Sequence, residues 1–510
     1  MANPMKSSLF FSICFLAALA VPVQAQVESD LRLISGDGVS EVGFLGTFSR
    51  DREQAFWLTH NRWGLFDGQS ANALTYFSHH RPAGTHRDFD LGGGVTVLAR
   101  GADRSTLHLH EGYLDMRNSV FRLRVGRFRA TYGSGFDELS SGSTGMSRNA
   151  APIPKITGSI PDFVEVPYTS GFMEIKGHFS HGWLETDRPV ERAFLHEKSL
   201  YTRLGGELPF RVYGGLVHFA MWGGESSVHG KQPNSISDLL RVVIAKEGGE
   251  GALQTDQENS LGYHTGLWDW GIEADIGASQ LHLYYQHLFT DGSGLYYRNM
   301  PDGLYGVGVR DPLGSNRLVT GILWEFLYTK HQSGAGRSDA PPGWTGDPLY
   351  DIDGSRFNGR DNYYNNGVYR NGWTYQNRTI GSPLFLLQRQ LDRVDTGGQV
   401  VSDRMFVSNR VLAHHMALKG ELNTRVNYRL FATWNRHHGT YNNLALGEPW
   451  SSDDPEGYFF NPPKDQWYFM VESHWRPVQL DGLTVTTALS LDRGDLFNNV
   501  GLLAGVSWTF

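Results

Sequence analysis

The last twelve residues constrain the fold more than any other feature of this sequence. Val500, Leu502, Ala504, Val506, Trp508 and Phe510 fall on one face of an extended chain. Asn499, Gly501, Gly505, Ser507 and Thr509 fall on the other, with Leu503 the one exception. A period of two gives a strand one apolar face, which needs lipid or a core to cover it. Alternation that runs to a terminal aromatic is what the closing strand of an outer-membrane barrel requires. The same dyad recurs in Arg425 to Asn435, in Leu483 to Asp492 and from Met173 to Trp183. Aromatic residues make up 13% of the chain and glycine supplies 61 of its 510 residues, both above ordinary globular usage. Beyond the first 25 residues no apolar run is long enough for a spanning helix, which excludes a helical membrane protein.

The beginning of the chain reads as an export signal. Lys6 supplies the positive charge, Leu9 to Val21 the short apolar run, and Val23-Gln24-Ala25 a cleavage site that leaves Gln26 first. The only cysteine, Cys14, lies inside this segment, so the exported chain has no disulfide to hold it. The full chain's formal charge of −8 gives no reason to expect a nucleic-acid partner. The expected organisation is a signal peptide over 1–25, a short N-terminal periplasmic segment over 26–53 and a barrel over 54–510. Strand candidates lie at 54–64, 71–79, 90–99, 106–117, 120–131, 198–205, 210–222, 261–276, 279–289, 316–330, 409–419 and 466–476. With the four alternating segments they predict an all-β transmembrane antiparallel barrel of 16–18 strands, 18 favoured, with long loops. Such a barrel implies outer-membrane lipid and the barrel-assembly machinery as partners. Ser235 followed by Asp238 and by Ile236, Leu239, Leu240, Val243 and Ile244 predicts a short capped loop helix, packed on the barrel mouth or plugging the lumen.

Residues 331–381 form the longest stretch without strand periodicity, and long irregular segments are usually functional. Within them Trp344, Tyr350, Tyr363, Tyr364, Tyr369, Trp373 and Tyr375 offer flat apolar faces. Asp361, Asn362, Asn365, Asn366 and Arg370 offer polar partners. Sugar recognition needs both kinds of group, so these are candidate carbohydrate-binding residues. The alternative is a loop whose tyrosines fill its own core. A basic stripe of Arg122, Arg124, Arg127 and Arg129 follows if Gly126 makes a bulge. Such arginines suit an anionic polysaccharide, or else a luminal ion-pair network that rigidifies the barrel. No nucleophile elbow, zinc-protease motif or paired metal-ligand spacing is present. The faint calcium-loop pattern at Asp351-Ile352-Asp353-Gly354-Ser355 lacks its closing Glu. No enzymatic activity, cofactor or metal is expected.

Several runs resemble the capsule-assembly Wzi family of outer-membrane proteins. They are Ser147-Arg148-Asn149-Ala150-Ala151-Pro152-Ile153-Pro154-Lys155-Ile156, Gly177-His178-Phe179-Ser180-His181-Gly182-Trp183 and His196-Glu197-Lys198-Ser199-Leu200-Tyr201. Further along come Asp291-Gly292-Ser293-Gly294, Pro301-Asp302-Gly303-Leu304-Tyr305-Gly306 and Asp361-Asn362-Tyr363-Tyr364-Asn365-Asn366, the last continuing through Tyr369, Gly372-Trp373 and Ile380-Gly381-Ser382-Pro383. The resemblance implies an 18-stranded barrel that acts as a lectin for capsular or other exported polysaccharide and helps hold it on the cell surface. It also implies a periplasmic helical bundle before the barrel. The residues after Gln26 show no helical periodicity, so no such bundle is expected here. A porin or polysaccharide-export channel is the alternative function for a barrel of this size.

Overall fold

The computed structural model describes residues 38–84, 89–102, 105–132, 136, 138–258, 260–333, 361–393, 405–440, 460 and 462–510. The expected signal peptide over 1–25, Trp344, Tyr350 and the segment at 351–355 lie outside the described residues. Among those described, no helix is long and apolar enough to cross a membrane. The wall is built from eighteen antiparallel strands. The first nine are β1 (Val39–Glu53), β2 (Gln69–Arg81), β3 (Asp90–Gly101), β4 (Ser105–Asn118), β5 (Phe121–Arg127), β6 (Pro154–Glu165), β7 (Met173–Trp183), β8 (Phe194–Leu204) and β9 (Phe210–Trp222). The rest are β10 (Tyr263–Ile276), β11 (Ser279–Phe289), β12 (Gly303–Arg310), β13 (Gly321–Tyr328), β14 (Val411–Asn423), β15 (Val426–His437), β16 (Lys464–Trp475), β17 (Leu483–Gly494) and β18 (Asn499–Thr509). Each pairs with its neighbours in sequence order, and β1 closes on β18 from Glu41 opposite Thr509 to Ser49 opposite Gly501.

The alternation read from the sequence sorts the two faces of the wall. In β18 Val500, Leu502, Val506 and Trp508 are exposed on the outside, and Asn499, Gly501 and Leu503 are buried inside. Leu503 breaks the polar pattern because it packs into a luminal apolar cluster with Leu58, Phe66 and Leu74. All long connections leave one end of the barrel, and the other end carries mostly short turns such as 119–120, 277–278 and 424–425. In outer-membrane barrels the short turns are periplasmic and the long loops extracellular, which orients this one.

The barrel begins earlier than the sequence suggested. Residues 39–53, assigned above to the end of a periplasmic segment, form β1, with Val42, Phe44 and Phe48 facing outward. The strand expected at 54–64 does not form. Its three consecutive apolar residues, Phe56, Trp57 and Leu58, open a one-turn helix, α1 (Phe56–Thr59), that turns into the lumen and is buried on every side. Consecutive burial of that kind has no period of two. Two further strands carry features that usually argue against a strand. β6 contains Pro161, accommodated where the β6–β7 register shifts between Ile160 and Val164. β12 carries Gly306 and Gly308 on its inner face, where a Cβ would collide with the rings of Tyr284 and Phe136.

The loop helix, α2 (Ile236–Val243), has the expected capping box between Ser235 and Asp238. Its position differs from the expectation. Val242 packs with Ala220, Trp222 and Leu261. Ala220 and Trp222 share the outward face of β9 with the exposed Phe210 and Val212. The helix thus lies against the outside of the wall near its extracellular end, neither on the mouth nor in the lumen. Lys198 anchors it by donating to the carbonyl of Val243 at its C-terminal end.

Candidate functional site

The extracellular half of the lumen is filled by three stretches of chain: α1 and the residues after it, residues 128–132, 136 and 138–153, and residues 361–387. Phe136, Leu139, Met146, Tyr363, Tyr364, Trp373, Leu384 and Phe385 all belong to one buried cluster with inward residues of the wall such as Val217, Phe219 and Leu267. The two longest runs that carry the family resemblance bond directly to each other here. Ser147 donates to the carbonyl of Gly381 at 2.7 Å, and Asn149 donates through Nδ2 to Thr379 at 2.9 Å. Arg378 ties the third stretch in by donating to the carbonyl of Thr59 at 3.1 Å.

This packing decides the role of the aromatic candidates. Tyr363, Tyr364 and Trp373 are 0% exposed and Tyr375 1%, so no ring face is open for a sugar. Their polar atoms are also engaged. The Trp373 indole donates to Gly145 O at 2.7 Å, and Tyr364 donates to Thr144 O. The buried Tyr369 donates to Gly223 O at 3.1 Å. Asn365 brackets the backbone of Phe406, donating to its carbonyl at 2.8 Å and accepting from its N–H at 3.0 Å. Asp361 is buried and accepts from Ser333 at 2.7 Å. The aromatic residues are therefore the core of a plug, which corrects their reading as sugar platforms. Of the described candidates, Arg370 is exposed and Asn366 half-buried at the outer tip of the plug. Gln376 and Asn377, not singled out in the sequence, are exposed on an adjacent turn.

A residue missed as a site candidate clamps this structure. Asp302, 0% exposed, accepts from the Tyr363 hydroxyl at 2.7 Å and from the backbone N–H groups of His331 at 2.9 Å and Gln332 at 2.7 Å. Burial outweighs these donors and pushes its carboxyl up to about 7. Its neighbour in the clamp is Asn299, which donates to the Tyr363 hydroxyl at 2.7 Å. Pro301-Asp302-Gly303 was visible in the sequence as part of a motif, but only the fold places its carboxylate beneath Tyr363.

The basic stripe resolves into structural and partly compensated groups. Arg122 grips Asp115 with two nitrogens, Nε at 2.7 Å, and Arg124 reaches the same carboxylate at 3.6 Å. Arg129 pairs with Glu111 at 3.2 Å, and Arg127 donates to Tyr375 Oη at 3.3 Å. Gly126 makes no bulge, since pairing runs unbroken through it on both sides. The irregularity falls between β3 and β4, where Thr96 and Val97 face Glu111 and Leu109. His178 and Ser199 sit at 2.6 Å, within reach of a nucleophile–base pair. The imidazole's other nitrogen has no partner among the described residues, so the third group that would orient a catalytic histidine is missing.

The sequence profile of the family described as capsule assembly protein Wzi matches residues 48–340. Among solved structures, the chain is similar to Wzi of Escherichia coli, an outer-membrane protein involved in group 1 capsule assembly and a carbohydrate-binding β-barrel. The two are 12% identical with a TM-score of 0.54, covering 91% of this chain and 83% of that one. It is also similar to OccK3 (OpdO) of Pseudomonas aeruginosa, 10% identical with a TM-score of 0.45 over 93% and 96% of the two chains. No curated protein matches the sequence.

Two outcomes test the plug. Trp373→Ala should lower stability by about 3–5 kcal/mol and open 361–387 to protease while the wall still runs as a compact, heat-modifiable species. The second concerns Asp302. A carboxyl whose folded-state pKa is raised binds its proton more tightly in the folded protein. Its contribution is complete below its unfolded value and is lost as pH rises through about 7. Thermal denaturation between pH 5.5 and 8.5 should show the wild type losing stability with rising pH more steeply than Asp302→Asn.

Proposed function

The chain belongs to the capsule-assembly Wzi family, and on that premise we propose that it is a non-catalytic lectin of the outer membrane that holds exported polysaccharide at the cell surface. The observation that carries this reading is the plug. A lumen packed with fully buried Tyr363, Tyr364 and Trp373 suits a binding platform and, among the described residues, leaves no path for a polymer. The E. coli barrel of the same fold is described as carbohydrate-binding, which supports the same ligand class here. Its partners are then capsular or similar exported polysaccharide outside, lipid around the wall, and the barrel-assembly machinery during insertion.

The binding surface is the outer tip of the plug. Arg370, Asn366, Gln376 and Asn377 stand there on a scaffold made rigid by the aromatic core beneath them, so little ordering entropy is lost when a sugar binds. Asn366 holds its own turn by accepting from the N–H groups of Val368 and Tyr369, each at 2.9 Å. Arg370 brings a planar fork of donors suited to the acidic groups of a capsular polymer.

Arg370→Ala should reduce polysaccharide affinity by about tenfold to a hundredfold, the loss of one charge-assisted contact, with the heat-modifiable barrel retained. Arg370→Lys should recover only part of it. Cells lacking the protein should shed polymer into the medium while total synthesis holds steady. Normal affinity in Arg370→Ala would remove the tip from the site, and arrested synthesis would contradict the attachment role.

A further inference from the structure

Beneath the plug, the inner half of the lumen contains a cavity of about 220 Å³ between β5, β6, β7 and β8, roofed by residues 128–132. That is below the roughly 300–1,000 Å³ of sites for drug-sized ligands and suits a single sugar ring. Its wall is rich in donors. Arg122 and Arg124 share the one carboxylate of Asp115, so two guanidinium charges meet a single negative charge. Arg124 is 22% exposed on its side chain, and its Nε stands 3.6 Å from that shared carboxylate, beyond hydrogen-bond length. Lys176 adds an ammonium held over the rings of Phe163 at 4.6 Å and Tyr201 at 4.8 Å. His178, 6% exposed, stacks on Tyr132 at 4.0 Å and bonds Ser199 through Nδ1, yet its Nε2 is buried without a partner. An unpaired polar atom in such a place costs stability unless something satisfies it.

We propose that this cavity is a second carbohydrate site, which takes one anionic sugar unit of the hexuronate class from the periplasmic side. The carboxylate would sit against Arg124 and Lys176, where a planar guanidinium can bond it with two parallel N–H groups. The ring would lie under Tyr132 and His178, with the hydroxyls of Ser159 and Ser199 in reach of its own. Access comes from the inner end, because the plug closes the outer one. At the inner rim Arg203, Glu174 and Arg211 keep 17–21% of their side-chain surface in solvent, in contrast to the fully buried plug. The choice of a sugar over a simple anion rests on the lectin reading. The charge excess and the orphaned nitrogen stand without it. The barrel would then recognise acidic polymer at both ends, a chain end or fragment inside and the assembled capsule outside.

The test is a calorimetric titration of the purified full-length barrel with glucuronate, glucose and inorganic phosphate. Glucuronate should bind, glucose should not, and phosphate should bind at least tenfold more weakly than glucuronate. Arg124→Gln and Lys176→Gln should each lower glucuronate affinity at least tenfold. Arg124→Gln leaves Asp115 paired with Arg122, so the heat-modifiable form should survive. If it does not, Lys176→Gln and Ser199→Ala carry the test. No glucuronate binding, or binding undiminished in these variants, would overturn the site. Phosphate binding as tightly as glucuronate would reduce it to a plain anion site and overturn the sugar assignment. A failed titration with normal polymer retention by cells refutes the inner site alone, and failure of both refutes the lectin reading as well.

Discussion

In hydrocarbon every backbone N–H and C=O must find its partner inside the protein, and the ladder between β1 and β18 is where this chain meets that demand. Without Glu41 to Ser49 lying against Thr509 to Gly501, two open edges would face lipid. Closure has a second consequence. It encloses a lumen too wide for wall side chains alone to fill, since eighteen strands form a far broader barrel than the eight whose side chains fill their own interior. The chain fills the outer half with its own loops. The plug, its outward tip and the cavity beneath it all follow from how that space is occupied.

The plug is held by two kinds of contact. Apolar packing joins the rings of Phe219, Trp373 and Tyr263. Buried polar anchors then fix its orientation, with Asp302 under Tyr363 and a luminal ion pair between Lys155 and Glu197 at 2.7 Å. Glu472 is a further anchor, since Arg62 from the segment after α1 and Arg429 from the wall share its carboxylate. Breaking one partner of such a buried pair costs more than forming it gains, because a desolvated charge is left behind. The charges therefore specify where the inserted chain sits, and the apolar cluster supplies most of the driving force.

Much of the wall was legible in the sequence because its periodicity is a direct consequence of having two solvents, lipid outside and protein or water inside. Fifteen of the sixteen candidate segments correspond to strands of the barrel. The three strands that were not read are the ones whose local chemistry opposes the pattern. β1 interleaves Phe44 and Phe48 with glycines and charges, β6 carries Pro161, and β12 trades side chains for Gly306 and Gly308 so that neighbouring rings can occupy the lumen. The candidate site was harder, for a physical reason. Tyrosine and tryptophan interspersed with asparagine describe a sugar-stacking surface and a polar-anchored core equally well. Only the depth of Tyr364 and Trp373 in the lumen separates the two. Arg370 was read as a candidate for its place among aromatics that face inward, while its own side chain is exposed.

The central claim is that the barrel is sealed and works as a binding surface. Its most direct test is the current through the purified protein in a planar lipid bilayer. A sealed lumen predicts insertion without steady conductance. Stable ohmic steps from the wild-type protein would mean an open path through the barrel and would contradict the account.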